Sequence, residues 1–166
     1  LGTSCTVCDS FEACDSGLGF CDIRPDARFE LVLDRGTIEE VSGKDWDSPG
    51  SGSAPDVFVG IDWDSTCSAM SLDECSASVS DSYEPTWDQS FGVFTAQELM
   101  TEFCVFVLDT DGVACGPSPF DTIGRCTLEL AWFDFYFGDA TLDSCPNPDD
   151  GGEYVSSLRF KLIYQP

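Results

Sequence analysis

Residues 103–130, FCVFVLDTDGVACGPSPFDTIGRCTLEL, limit the fold more than any other stretch. FCVFVL is a short apolar run rich in β-branched and aromatic residues, the composition of a buried strand. Asp109 and Asp111 follow it. The Gly and Pro residues of 112–119 turn the chain. Asp121 then leads into IGRCTLEL, a second strand. Three carboxylates at the lips of one loop repel each other unless a cation lies between them, and hard oxygen donors on a loop suit Ca²⁺. An ordinary solvated acidic turn has the same residues, because Asp is common in turns. On this stretch alone both readings stand.

The rest of the chain repeats the theme of short strands between turns. In 26–40, Phe29, Leu31 and Leu33 alternate with Glu30, Val32 and Asp34, a half-buried strand. Residues 41–55 are a Gly/Ser/Pro loop carrying Asp45 and Asp47 around Trp46. Residues 56–62 form a second strand, 76–82 a third, and 83–95 a fourth through Trp87, Phe91, Val93 and Phe94. One helical turn fits 96–102. The aromatic stretch 131–143 is expected to return as a strand. A turn at 145–152 holds Asp149 and Asp150, and 155–164 closes the chain with Leu158, Phe160 and Leu162 inward. No helix of normal length is expected. Eight short antiparallel strands make an all-β sandwich, and 166 residues suffice to bury roughly 70% of the unfolded surface in one domain.

Charge and cysteine content narrow the function. With 31 acidic against 7 basic residues the formal charge is −24, and there is no His. Nucleic acid is excluded as a partner, since phosphate recognition needs clustered Lys and Arg. Every mechanism that needs His as base or ligand is excluded too. The acidity also fits a salt-rich or cation-rich habitat. Ten Cys in a chain of this length point to disulfides and an extracellular location rather than thiolate metal sites. The start at Leu1 is expected of a processed, mature form. The single Asn, Asn147, precedes Pro, so no N-glycosylation sequon exists. Residues 1–25 hold Cys5, Cys8, Cys14 and Cys21 with little apolar content. They read as a disulfide-stapled arm on a 26–166 sandwich, with three pairings open. A zinc site starting at Cys5-x₂-Cys8 is the lesser alternative, because a second CxxC is missing.

The order of motifs resembles the C2 domains of synaptotagmins, protein kinase C and cytosolic phospholipases. PDVFVGI, EPTWDQSFGVF and VFVLDTD with FDTIGRCTLEL carry the resemblance, in that order, over 56–130. It implies a C2-like sandwich. The added last strand, with none before Phe29, implies the permuted (type II) topology, in which that strand fills the place the first takes elsewhere. The resemblance also implies Ca²⁺ between acidic loops at one end. Carried over by position, the ligands are Asp56, Asp109, Asp111 and Asp121, with Asp45 or, in competition, Asp47. Cys145, Asp149 and Asp150 are expected near those loops.

The expected function is a non-enzymatic, secreted calcium-binding module that assembles with copies of itself into a filament or surface layer. Calcium-dependent docking on a cell surface or anionic lipid is the alternative, with Trp46, Val113 and Phe120 as loop-tip anchors. Two bound Ca²⁺ bring the charge only from −24 to −20, so an anionic leaflet still repels the chain. A secreted hydrolase using paired carboxylates is less favoured. If Asp109 opposes Asp121, the same register opposes Cys104 and Cys126. The expected disulfides are therefore Cys104–Cys126, Cys67–Cys75 and Cys115–Cys145. Residues 1–25 have too few apolar side chains to bury a core alone, so Val7, Phe11 and Phe20 need a surface, either their own sandwich or another copy, and the expected contact is with another copy.

Overall fold

The computed structural model describes residues 5, 7–15, 19–41, 44, 46, 53–64, 66–67, 72–110, 114–115 and 120–166. Ten strands are described: β1 (Glu12–Asp15), β2 (Phe20–Ile23), β3 (Arg28–Ile38), β4 (Val57–Asp62), β5 (Glu74–Cys75), β6 (Thr86–Thr95), β7 (Phe103–Asp109), β8 (Asp121–Leu128), β9 (Asp139–Cys145) and β10 (Val155–Gln165). Two short helices are α1 (Ala96–Leu99) and α2 (Trp132–Phe137). Eight strands form the sandwich, one sheet ordered β6-β3-β10-β9 and the other β5-β4-β7-β8, all pairs antiparallel. The last strand sits between β3 and β9, which is the permuted arrangement.

The inner faces follow the alternation of the sequence. Phe29, Leu31 and Leu33 of β3 and Leu158, Phe160 and Leu162 of β10 enter the core, against Val57, Val59 and Ile61 of β4. Each such side chain contributes about 1.5–3 kcal/mol by leaving water. The continuous apolar runs of β4 and β7 need cover on both faces, and every residue of both strands is buried. On the outer face, Phe58, Cys104, Phe106 and Leu108 form a second cluster beneath Leu72, Ala114 and Phe120. Two disulfides, Cys67–Cys104 and Cys75–Cys115, fasten this covering layer.

All three expected pairings outside the arm are corrected. Asp109 does oppose Asp121, and Leu108 opposes Thr122, but a bulge then shifts the register so that Val107 opposes Gly124. The extra residue is Ile123. Beyond it Cys104 faces Thr127, and Cys126 faces Val105. Because side chains alternate, one inserted residue moves Cys126 to the inner face. There it bonds Cys145, with Cα atoms 5.3 Å apart. Cys104 remains outside and bonds Cys67, not Cys126. Cys75 opposes Gly60 on the edge of the same sheet and bonds Cys115, not Cys67. Cys115 and Cys145 lie on opposite sides of the sheet, so they cannot meet.

Two element expectations also change. The run WFDFYF is helical rather than a strand: Asp134 accepts the Ala131 N–H at 2.7 Å, and Gly138 ends the helix at φ 72°. A Gly just past the last turn relieves the left-handed strain there. The third strand is only Glu74–Cys75, with Val79 bridging Val57 further on.

The arm is a β1-β2 hairpin closed by Cys5–Cys14 and Cys8–Cys21, so the CxxC thiols are disulfide-bonded. Phe11 packs edge-on to Phe29 at 5.7 Å and against Tyr164 at 5.5 Å. The Tyr164 hydroxyl donates to the Ser10 carbonyl. Phe11 therefore packs on its own sandwich, while Val7 and Phe20 stay exposed.

Candidate metal centre

The strand directions bring the start of β4, the end of β7 and the start of β8 to one pole. Val57 opposes Asp109, and Asp109 opposes Asp121, so Asp56, Asp109 and Asp121 are neighbours by register. Asp109 is buried and Asp121 exposed. The Asp56 N–H donates to Asp109 Oδ1 at 2.6 Å, fixing that carboxylate. Asp56 Oδ1 accepts the Asp81 N–H at 2.8 Å, and the Thr110 N–H donates to the Asp56 carbonyl at 3.2 Å. Asp45, Asp47 and Asp111 lie outside the described residues.

Asp81 was not among the sequence candidates. It follows the β5 edge and adopts φ 51°, a conformation Asp tolerates better than most residues. Its place at this pole is set by the amide bond to Asp56, between the Val79–Val57 bridge and the Ser82 N–H on the Pro55 carbonyl.

The turn after β9 stands at the same pole. Asn147 Nδ2 donates to the Thr122 carbonyl, next to Asp121. Lys44 Nζ pairs with Asp150 at 3.3 Å and lies over the rings of Trp46 and Tyr154, 4.7 and 4.9 Å from their centroids. Asp150 is held below the usual carboxylate range by the Gly152 N–H, the Tyr154 hydroxyl and Lys44. Asp150 is therefore engaged by a protein cation. Trp46, an expected loop-tip anchor, is buried against Tyr154, and Phe120, another, packs edge-to-face with Phe58 at 5.0 Å. Val113 lies outside the described residues.

The donor chemistry fits a hard divalent cation: carboxylate oxygens at one pole, and no ion pair to Asp56 or Asp121 among the described residues. Among those residues, no three carboxylates bring oxygens within 4.8 Å of one another. Asp56, Asp109 and Asp121 thus form part of a donor set rather than a complete one.

Comparison with solved structures defines the class. The chain is similar to C2 domain A of plant extended synaptotagmin 1, at 17% identity and TM-score 0.51, covering 86% of this chain and 97% of that one. It is similar to the second C2 domain of BON1 at 12% identity and TM-score 0.54, with 86% and 94% covered. A calcium-bound structure of extended synaptotagmin 2, spanning its C2 domains A and B, matches at 13% identity and TM-score 0.52, with 85% and 47% covered. No protein-family model matches the sequence, and no curated protein does. At these identities the likeness is one of fold, and the fold is that of a C2 domain.

Proposed function

We propose that this chain is an exported, non-enzymatic calcium-binding structural module that assembles with copies of itself. The observation that carries the calcium reading is the meeting of Asp56, Asp109 and Asp121 at one pole, with the Asp109 carboxylate held by the Asp56 amide. These residues, with Asp111 and with Asp45 or Asp47, would hold Ca²⁺. The ion would neutralise carboxylates that otherwise repel and would tie the loops together. Extended synaptotagmin 2, a fold neighbour, is calcium-bound. Five disulfides support export to an oxidising compartment. Residues 1–25 act as an arm distinct from the 26–166 unit. With Phe11 occupied by its own sandwich, Val7 and Phe20 are the arm residues left for a neighbouring copy.

Calcium-dependent membrane docking ranks second. Its expected anchors Trp46 and Phe120 are turned inward, and the net charge of −24 opposes an anionic leaflet. Calorimetric titration with Ca²⁺, paired with melting curves in excess Ca²⁺ and in excess chelator, tests the first part. Saturating the site at about 100 times Kd adds about 2.7 kcal/mol, and Asp109→Asn should abolish the gain. Identical melting curves in the two conditions would remove the calcium reading. Sedimentation velocity at high concentration with Ca²⁺ tests assembly; a monomer there removes that part alone.

A further inference from the structure

At the pole opposite the Asp cluster, where α2 meets the arm, a cavity of about 320 Å³ is lined by Glu12, Phe20, Cys21, Asp22, Ile23 and Trp132. Phe20 is 53% exposed and Trp132 61%, so two large rings stand in water with no core to fill. Glu12 Oε2 accepts the Asp9 N–H and Asp22 Oδ1 the Ile23 N–H, both at 2.9 Å, which fixes each carboxylate by one oxygen. Among the described residues neither carboxylate has a basic partner.

The same molecule shows what such a set of groups holds. At Lys44, an ammonium lies over two rings, Trp46 and Tyr154, and against the carboxylate of Asp150. The arm cavity also brings two rings together with acidic groups, here two carboxylates instead of one, and among the described residues no cation of the chain is paired with them. Ring faces attract cations, and the attraction grows when the cation is partly desolvated. Little of this chain can fill the cavity from a second copy. Of its 7 basic residues, Arg35, Lys44, Arg159 and Lys161 are already in ion pairs and Arg24 and Arg125 are half-buried, which leaves Arg28 as the exposed one outside an ion pair.

We infer that this cavity is a docking site for a lysine- or arginine-bearing segment of a different protein, whose cationic side chain enters between Phe20 and Trp132. The site goes beyond the calcium reading and does not depend on it; where a different protein occupies it, Phe20 is taken from the contact between copies, which is then left to Val7. Charge complementarity sets the partner's sign, and the cavity's size suits one long side chain with its alkyl stem on the rings.

The probe is an end-blocked tetralysine peptide, titrated calorimetrically into the intact protein at physiological ionic strength. Trp132→Ala leaves the net charge unchanged, so it separates ring recognition from bulk attraction to a chain of charge −24. It should weaken binding about fivefold or more, the loss of one cation–π contact, while Trp132→Phe retains most of the affinity. Asp22→Asn should weaken binding more than Asp143→Asn, an exposed carboxylate outside the cavity that makes the same charge change. Near-UV circular dichroism confirms that each variant is folded. Equal affinities for the folded wild type and Trp132→Ala would overturn the proposal. So would Trp132-dependent flotation with phosphatidylcholine vesicles in place of peptide binding, which would make the cavity a lipid-headgroup site.

Discussion

Gly124→Ala tests how the sandwich closes. Gly124 follows the bulge in β8 and opposes Val107 on the inner face. A Cβ there would stand 2.5 Å from the Cys145 carbonyl oxygen and 2.8 Å from Val155 Cγ2. Non-bonded carbons settle at about 3.5–4.0 Å, so the neighbours must retreat by roughly an ångström. Cys145 is poorly placed to do so. It is bonded to Cys126, two residues from Gly124, and paired with Val155 in β10. Forcing a methyl into such a site costs about 1–3 kcal/mol. Melting should fall by about 2–12 °C, at roughly 2–4 °C per kcal/mol for a chain of this size. The sign is the decisive part. Unfolded-state entropy alone would make Gly→Ala stabilising by about 0.4–1 kcal/mol. The control is Gly36→Ala, whose new Cβ meets first a flexible Leu158 Cδ1 at 3.1 Å, and its melting point should move less. Thermal unfolding followed by circular dichroism reads both. A Gly124→Ala protein as stable as wild type would mean that the Cys145 backbone does not approach β8 as described.

Replacing both Cys126 and Cys145 by Ser should cost about 3 kcal/mol, the loop-closure value for a separation of 19 residues, read by denaturant unfolding. Non-reducing peptide mapping should recover Cys126 with Cys145, Cys67 with Cys104 and Cys75 with Cys115. Thr95→Ala removes the hydroxyl that accepts the Glu98 N–H at the start of α1 and should cost about 1 kcal/mol. Glu98 is held below its ordinary range by the Thr95 amide and then the Thr95 hydroxyl. Its stabilisation is therefore present above the ordinary carboxylate pKa and is lost as pH falls through the lowered one, so Glu98→Gln should flatten stability on the acid side. Asp134 runs the other way, because burial raises its pKa. The native state holds that proton more tightly, so stability falls as pH rises from the ordinary value through the raised one. Asp134→Asn should remove that slope in an unfolding series across pH.

The parts of the fold legible in the sequence are those where a period fixes a face. Phe29, Leu31 and Leu33, and Leu158, Phe160 and Leu162, alternate over strands long enough that no other register buries them. The acidic neighbours Asp109 and Asp121 were legible for a related reason: they lie between the turn and the bulge, where counting from the loop still works. α2 had local signals that its composition hid. Aromatic residues favour strands, but a carboxylate at Asp134 reaching back to Ala131, followed by Gly138, marks the start and end of one helical segment. Asp81 carried no signal at all, since only the fold places its amide on Asp56.

The cysteines show why long-range pairing was the least legible feature. A disulfide joins two side chains that point into the same layer, whether across the core or over one outer face, so predicting it needs the parity of every strand involved. Ile123 changes that parity once, and its effect runs through the whole network. Cys126 goes inside to Cys145, Cys104 is left outside for Cys67, and Cys75 is left for Cys115. The outer pairs then hold loops over Phe58, Phe106 and Leu108, which explains how β4 and β7 can be apolar on both faces. The continuous runs VFVGI and FCVFVL already demanded such a cover. Demanding an outer layer for Cys104 would have separated it from Cys126, whose neighbours in sequence carry no matching apolar outer face.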